Sequence, residues 1–176
     1  KGKTTWHGSA EFMNYNRWDK DPNIDKEFAL QLKRYYAACV SYADKHVGDI
    51  IKKLRQTGAD KNTIVVLWGD HGWHLGEHAI WGKHSLFEES LRSPLIIYDP
   101  SMTGKGQKSD AIVESVDVFP TLCELTDLPV PDFTKGTSLI PILKDAKASG
   151  HEAVAIKAHA TTIRTDQYRL VQHKIG

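Results

Sequence analysis

The chain has 176 residues and 19.8 kDa, with 40% hydrophobic residues, 26% charged residues and a formal net charge of +1. A chain of this size buries roughly 70% of its unfolded surface and needs no staple to hold a core. The composition excludes wholesale disorder, and the near-neutral charge argues against a dedicated nucleic-acid binder. No apolar run approaches the ~20 residues of a membrane-spanning helix.

The first 24 residues are polar and aromatic. Trp6, Phe12, Tyr15 and Trp18 follow no period, so irregular surface chain is expected. Lys1-Gly2-Lys3-Thr4-Thr5 is not followed by the apolar stretch of a signal peptide, and there is no initiator Met. A mature or excised piece of a longer protein is the expectation. Asp21-Pro22 has the form of a helix start, with Asp as cap and Pro at the first helical position.

A long helix over 26–56 is predicted next. Phe28, Leu32, Tyr35, Cys39, Ala43, Val47, Ile50 and Leu54 recur at steps of three and four, widened by Tyr36, Val40 and Ile51. Lys52, Lys53 and Arg55 suit the negative end of its dipole, and Gly58 supplies the stop. Its expected job is packing. Cys39 and Cys123 form no CxxC, are too few for a disulfide scaffold, and sit among apolar neighbours, so both are expected as small buried hydrophobes.

Residues 63–68, Thr-Ile-Val-Val-Leu-Trp, form a continuous apolar run expected to be a strand buried on both faces. A helix feeding such a strand implies an α/β layered fold. Pro94 to Tyr98 is a second buried strand, 101–109 a polar loop, and Ile112-Val113 a short strand. Asp117 to Leu125 is a short helix and Leu139 to Leu143 an apolar turn. Ala153 to Ile156, then Thr161 to Arg164 and Tyr168 to Val171 around the turn Thr165-Asp166-Gln167, predict a small C-terminal antiparallel sheet. The expected organisation is an α/β body over 1–150 and an antiparallel subdomain over 151–176.

The chemistry concentrates in residues 69–92. Asp70-His71 follows the buried strand directly, where open α/β sheets place ligands. His71, His74, His78 and His84 lie within a few turns of chain, with Glu77 and Lys83 among them. A hard carboxylate oxygen beside an imidazole nitrogen suits a divalent cation, though two ligands are too few to hold one. Lys83 adds a positive charge of the kind that neutralises an anionic substrate. A zinc pair from His74 and His78 is an alternative, weakened by Leu75-Gly76 between them. Another alternative is a surface loop with incidental polarity.

The whole stretch resembles a known family. Asp70-His71-Gly72, Gly76-x-His78, Lys83, then Phe87-Glu88-Glu89-Ser90-x-Arg92-x-Pro94-Leu95-Ile96 is similar to the C-terminal half of type I sulfatases of the alkaline-phosphatase superfamily. Asp117-Val118-Phe119-Pro120-Thr121-Leu122, Leu128-Pro129-x-Pro131 and Gly136-x-Ser138-Leu139 continue the order. Gly72-Trp73-x-Leu75-Gly76-Glu77-His78 with Trp81-x-Lys83 resembles the iduronate-2-sulfatase branch. The resemblance covers roughly residues 28 to 172 and implies a partial alkaline-phosphatase-like layered sheet. By resemblance, Asp70 and His71 are ligands of a calcium ion (Mn2+ or another divalent ion being possible). Lys83 and His78 are catalytic candidates, and Lys83 and His74 candidates for substrate contact. Glu88, Arg92 and Asp117 match recurrent positions expected to be structural.

The departures shape the functional expectation. The family's nucleophile is a formylglycine made in a C/S-x-P-x-R motif, and this chain has none: Cys39 precedes Val-Ser-Tyr-Ala and Cys123 precedes Glu-Leu-Thr-Asp. A missing N-terminal part is expected to carry the formylglycine and two further acidic ligands. The expectation is therefore a fragment of a hydrolase of O-sulfated sugars, inactive alone. It would be partnered by its missing N-terminal half or by itself, because the missing half would leave part of its sheet uncovered. Family resemblance implies a periplasmic, secreted or lysosomal setting. The alternatives are a fragment of a phosphodiesterase or phosphonate monoester hydrolase, and a non-catalytic module binding anionic glycans.

Overall fold

A computed structural model describes residues 12, 15, 19–102, 106–157 and 160–173. Most of the N-terminal stretch, Trp6 and Trp18 included, and part of the 101–109 loop lie outside the described residues. The chain forms two compact units, Lys1–Asn62 with Trp68–Leu95, and Thr63–Leu67 with Ile96–Gly176.

In the first unit, helix α1 spans Lys26–Thr57. It starts later than the Asp21-Pro22 signal suggests. Asp21 instead closes a turn, its carbonyl accepting from the N–H groups of Ile24 and Asp25, while Pro22 is buried. Asp25 is the cap, its carboxylate accepting from the Phe28 N–H at 2.9 Å. Both aspartates carry a cap signal; the one three residues before the buried Phe28 wins. Gly58 ends the helix at φ 74°, a left-handed conformation that glycine adopts without a Cβ penalty.

The packing expected of α1 is not found. Phe28 is its one buried residue. Leu30, Tyr35, Tyr36, Val40, Tyr42 and Ile50 are exposed, and so is Cys39, against expectation. The helical period is correct, but among the described residues no second layer covers most of its apolar stripe.

Strand β1 (Val65–Trp68) pairs with β4 (Leu95–Tyr98), most of both lying in the second unit. Neither is buried on both faces: Leu67 and Trp68 are exposed, and β4 alternates between half-buried and exposed residues. Ile112-Val113 forms no strand. Its carbonyl at Ile112 accepts instead from the His151 N–H at 2.8 Å, a single tie between two irregular segments.

The second unit packs around α3 (Val118–Leu125) and α4 (Ile140–Lys144), the latter a short helix where a turn was expected. Val118, Cys123, Leu139 and Ile140 are buried. Asp117 has 0% exposure and organises the surrounding loops. Its carboxylate accepts from the N–H groups of Glu114 (2.7 Å) and Thr137 (2.8 Å) and lies 2.8 Å from His151 Nε2. Three segments distant in sequence are thereby fixed to one buried anion. The C-terminal sheet forms as expected, an antiparallel meander of β5 (Val154–Lys157), β6 (Ala160–Arg164) and β7 (Arg169–His173).

Removing Asp117 would orphan two backbone donors and a histidine at once. Asp117→Ala is expected to cost about 2–5 kcal/mol, at about 1–3 kcal/mol for each buried donor left unsatisfied. Asp49→Ala, which breaks the exposed Lys45–Asp49 pair, should cost at most about 0.5 kcal/mol. Urea unfolding midpoints of the two variants check the contrast.

Candidate functional site

The site grows from the end of β1. Gly69 donates its N–H to the Pro94 carbonyl (2.9 Å) and Gly72 its N–H to the Ser90 carbonyl (2.8 Å). A Cβ on Gly72 would stand 2.1 Å from the Glu89 carbonyl oxygen, so only glycine permits this approach. Asp70 and His71 are held between these two ties.

The Nδ1 of His71 lies 2.8 Å from the Gly72 carbonyl. A carbonyl can only accept, so Nδ1 carries the proton and Nε2 presents its lone pair in the neutral ring. That Nε2 is 3.6 Å from Asp70 Oδ2. Two donors on adjacent vertices of a calcium shell, with bonds of about 2.3–2.6 Å, stand roughly 3.3–3.7 Å apart. The pair therefore fits one edge of a metal shell, and the Asp70 side chain is 80% exposed. Among the described residues no group of three or more His, Cys, Asp or Glu side chains could hold a metal.

His74 and His78 belong to a hairpin of two-residue strands, and Lys83 and His84 follow it. Strands β2 (His74–Leu75) and β3 (Trp81–Gly82) pair antiparallel, with His74 opposite Gly82 and Leu75 opposite Trp81. Glu77 steadies the connecting turn by accepting from the Leu75 N–H at 2.6 Å. Burial opposes ionisation of Glu77. The N–H groups of Leu75 and Glu77 itself, with the Lys33 charge, outweigh it and hold its carboxyl below the usual carboxylate range. Trp81 anchors the hairpin through Nε1–H to Asn23 Oδ1 (3.1 Å) and its ring beside Phe12. Lys83 follows β3 directly and is partly buried.

The four clustered histidines separate by environment. His74 has 0% exposure, with Nε2 2.8 Å from Ser85 Oγ, which in turn lies 2.9 Å from Ser90 Oγ. Its Nδ1 is buried without a hydrogen-bond partner. His74, expected among the substrate contacts, is joined through Ser85 to Ser90 of the turn α2 (Glu88–Leu91). Burial pushes its pKa down, against the opposing charges of Glu89 and Glu77. His78 lies across from it, ring centroids 6.0 Å apart at 70°. His78 is 47% exposed and stacks on Phe87. His84 is exposed. Ser85, Ser90 and Glu89, which the sequence did not single out for the site, are the groups that orient these rings.

A chain with this fold and this strand-end pair can be compared with known proteins. Residues 4–128 match the family described as Sulfatase. The chain belongs to the sulfatase family. It is 34% identical over 132 residues to mouse iduronate 2-sulfatase, covering 61% of this chain and 24% of that protein. It superposes on BT4656, solved in complex with its substrate D-glucosamine-2-N,6-O-disulfate, with TM-score 0.78 and 29% identity over 93% of this chain and 36% of that one. The phosphonate monoester hydrolase of Silicibacter pomeroyi gives TM-score 0.78 and 26% identity over 88% of this chain and 35% of that one. This sulfatase-family chain spans between 21% and 36% of the length of the curated relatives it matches. The alkaline-phosphatase-like fold expected from the sequence is thus the fold of its structural neighbours. Among the described residues no helix is long and apolar enough to cross a membrane.

Two outcomes follow from the geometry. His74 titrates at 6.5 when free and lower when folded, so below pH 6.5 the unfolded chain takes up a proton that the fold resists. Stability present above pH 6.5 should fall as the pH drops beneath it, by at most about 1.4 kcal/mol per pH unit. His74→Gln should flatten that dependence in urea titrations from pH 7.5 to 5. Gly72→Ala forces the Asp70-His71 segment off the α2 turn and should cost about 1–3 kcal/mol, read from the thermal midpoint.

Proposed function

We propose that this chain forms part of a hydrolase of O-sulfated sugars and supplies half of its metal site. The observation that carries the reading is the Asp70-His71 pair at the end of β1, with Nε2 of His71 held toward Asp70, in a chain of the sulfatase family. The mouse relative is named for iduronate 2-sulfate, and BT4656 was solved with a disulfated glucosamine, which supports a sulfated monosaccharide unit as substrate.

Asp70 and His71 would hold a divalent cation, calcium by the oxygen-rich ligand set the family uses, together with ligands from outside this chain. When bound, that ion polarises the S–O bonds of the ester. Lys83 offsets the negative charge that grows on the sulfate oxygens as the ester bond breaks. His78 contacts the sulfated sugar, and His74 acts behind it, holding the hairpin that carries both. The nucleophile comes from elsewhere, because no C/S-x-P-x-R sequence occurs in these 176 residues. Alone, the chain is inactive.

The partner in this reading is the remainder of the sulfatase polypeptide. The exposed apolar row on α1, from Leu30 through Ile50, is the surface it would cover, and in its absence the chain would self-associate. Sulfated polysaccharides lie outside the cytosol, so the expected setting is periplasmic, extracellular or lysosomal. A second reading, phosphonate monoester hydrolysis, is favoured by the equal TM-score of the Silicibacter enzyme. It would bring a transition metal, better matched to the imidazole of His71.

Metal analysis and substrate profiling of the complete polypeptide separate the two readings. Copurifying calcium and hydrolysis of a 2-O- or 6-O-sulfated sugar are expected, with Lys83→Ala lowering kcat/KM by about 10²–10³-fold. Manganese, iron or zinc with faster cleavage of phenyl phosphonate would overturn the sulfatase reading in favour of the second.

A further inference from the structure

The backbone beneath His78 is unusual. Gly76 has φ 109°, His78 φ 55° and Ala79 φ 57°. Two successive L residues in the left-handed region are unfavourable, and Ala79 has no polar side chain to offset the cost locally. Such conformations persist only where the surroundings over-determine them, and they gather at functional sites.

Two side chains of one short segment lie against His78. The Phe87 ring lies against the His78 imidazole, centroids 4.1 Å apart and planes within 16°. Glu89 Oε1 stands 3.6 Å from His78 Nε2. Phe87 is the cap residue of α2 and Glu89 lies within its one turn, so one residue faces the plane of the imidazole and the other its edge. The same turn meets the metal-pair segment, because Gly72 packs on the Glu89 carbonyl and donates to that of Ser90. It is also tied to the hairpin through Ser90, Ser85 and His74. One turn of chain therefore registers the His78 ring against the Asp70-His71 segment.

A half-exposed histidine contributes little core, so the fold gains little from holding it in a strained conformation. Glycine would relieve the strain. We propose that Glu89 is the positioning residue for His78, with Phe87 as its stacking platform, and that the oriented imidazole contacts an anionic group of the sulfated sugar. The inference rests on the sulfatase reading of the site and adds to it a residue that sets substrate affinity.

The test uses the complete, active polypeptide and a sulfated monosaccharide. Glu89→Gln and Phe87→Leu are each expected to raise KM about tenfold, the size of one lost charge-assisted contact, with kcat changed less than about threefold. His78→Asn should raise KM similarly, and adding Glu89→Gln to it should raise KM no further. His78→Gly should keep or raise the thermal midpoint while still raising KM, which a purely structural histidine would not do. The inference is overturned if Glu89→Gln leaves KM unchanged, or if its effect persists in the His78→Asn background, while Lys83→Ala still lowers kcat/KM. If Lys83→Ala is also without effect, the sulfatase reading itself fails. Should Glu89→Gln not fold, Phe87→Leu and His78→Asn alone decide: an unchanged KM in both overturns the proposal.

Discussion

Gly72 lies so close to the turn Glu88–Leu91 that a single methyl group there would meet the Glu89 carbonyl at 2.1 Å. That backbone-to-backbone contact is the constraint on which the candidate site depends. It brings the Asp-His pair at the end of β1 against a turn almost twenty residues further on, and the N–H of Gly72 secures it. From the far side of the same turn, Ser90 reaches Ser85 and His74, and Glu89 and Phe87 hold His78. The Asp70-His71 pair, the buried His74 and the half-exposed His78 share one rigid reference, as a site needs when tenths of an ångström decide its chemistry.

Asp117 serves the second unit in a comparable way by different means. It is a fully buried carboxylate satisfied by two backbone donors and His151. Thr121 extends the arrangement, donating to the Asp117 carbonyl and accepting from the Leu139 N–H. Loops with little regular structure are ordered here by polar groups rather than by apolar area. Such a network specifies one arrangement because each unpaired member is expensive to bury.

The contrast between α1 and its sequence pattern is informative. The period of three and four is real and the helix forms over Lys26–Thr57, yet Tyr35, Val40 and Ile50 stay exposed. Periodicity states which face a helix can bury; whether that face is buried depends on what lies against it. The same distinction explains β1 and β4, whose apolar runs read as fully buried strands but have exposed residues here.

The sequence by itself determined the long helix, because the apolar spacing and Gly58 are local signals. It determined the C-terminal meander, because alternation and a short turn set the register of β6 against β7. It also determined the family, through the order of motifs from Asp70 to Leu139. The tertiary structure alone decided which histidine is buried and which is half-exposed. His74 and His78 are four residues apart and equally polar on paper, but Ser85 and Ser90 draw one inward while Phe87 and Glu89 hold the other half-exposed. Those partners come from a separate turn of chain, and their approach is set by packing around Gly72, which no local spacing in the sequence encodes.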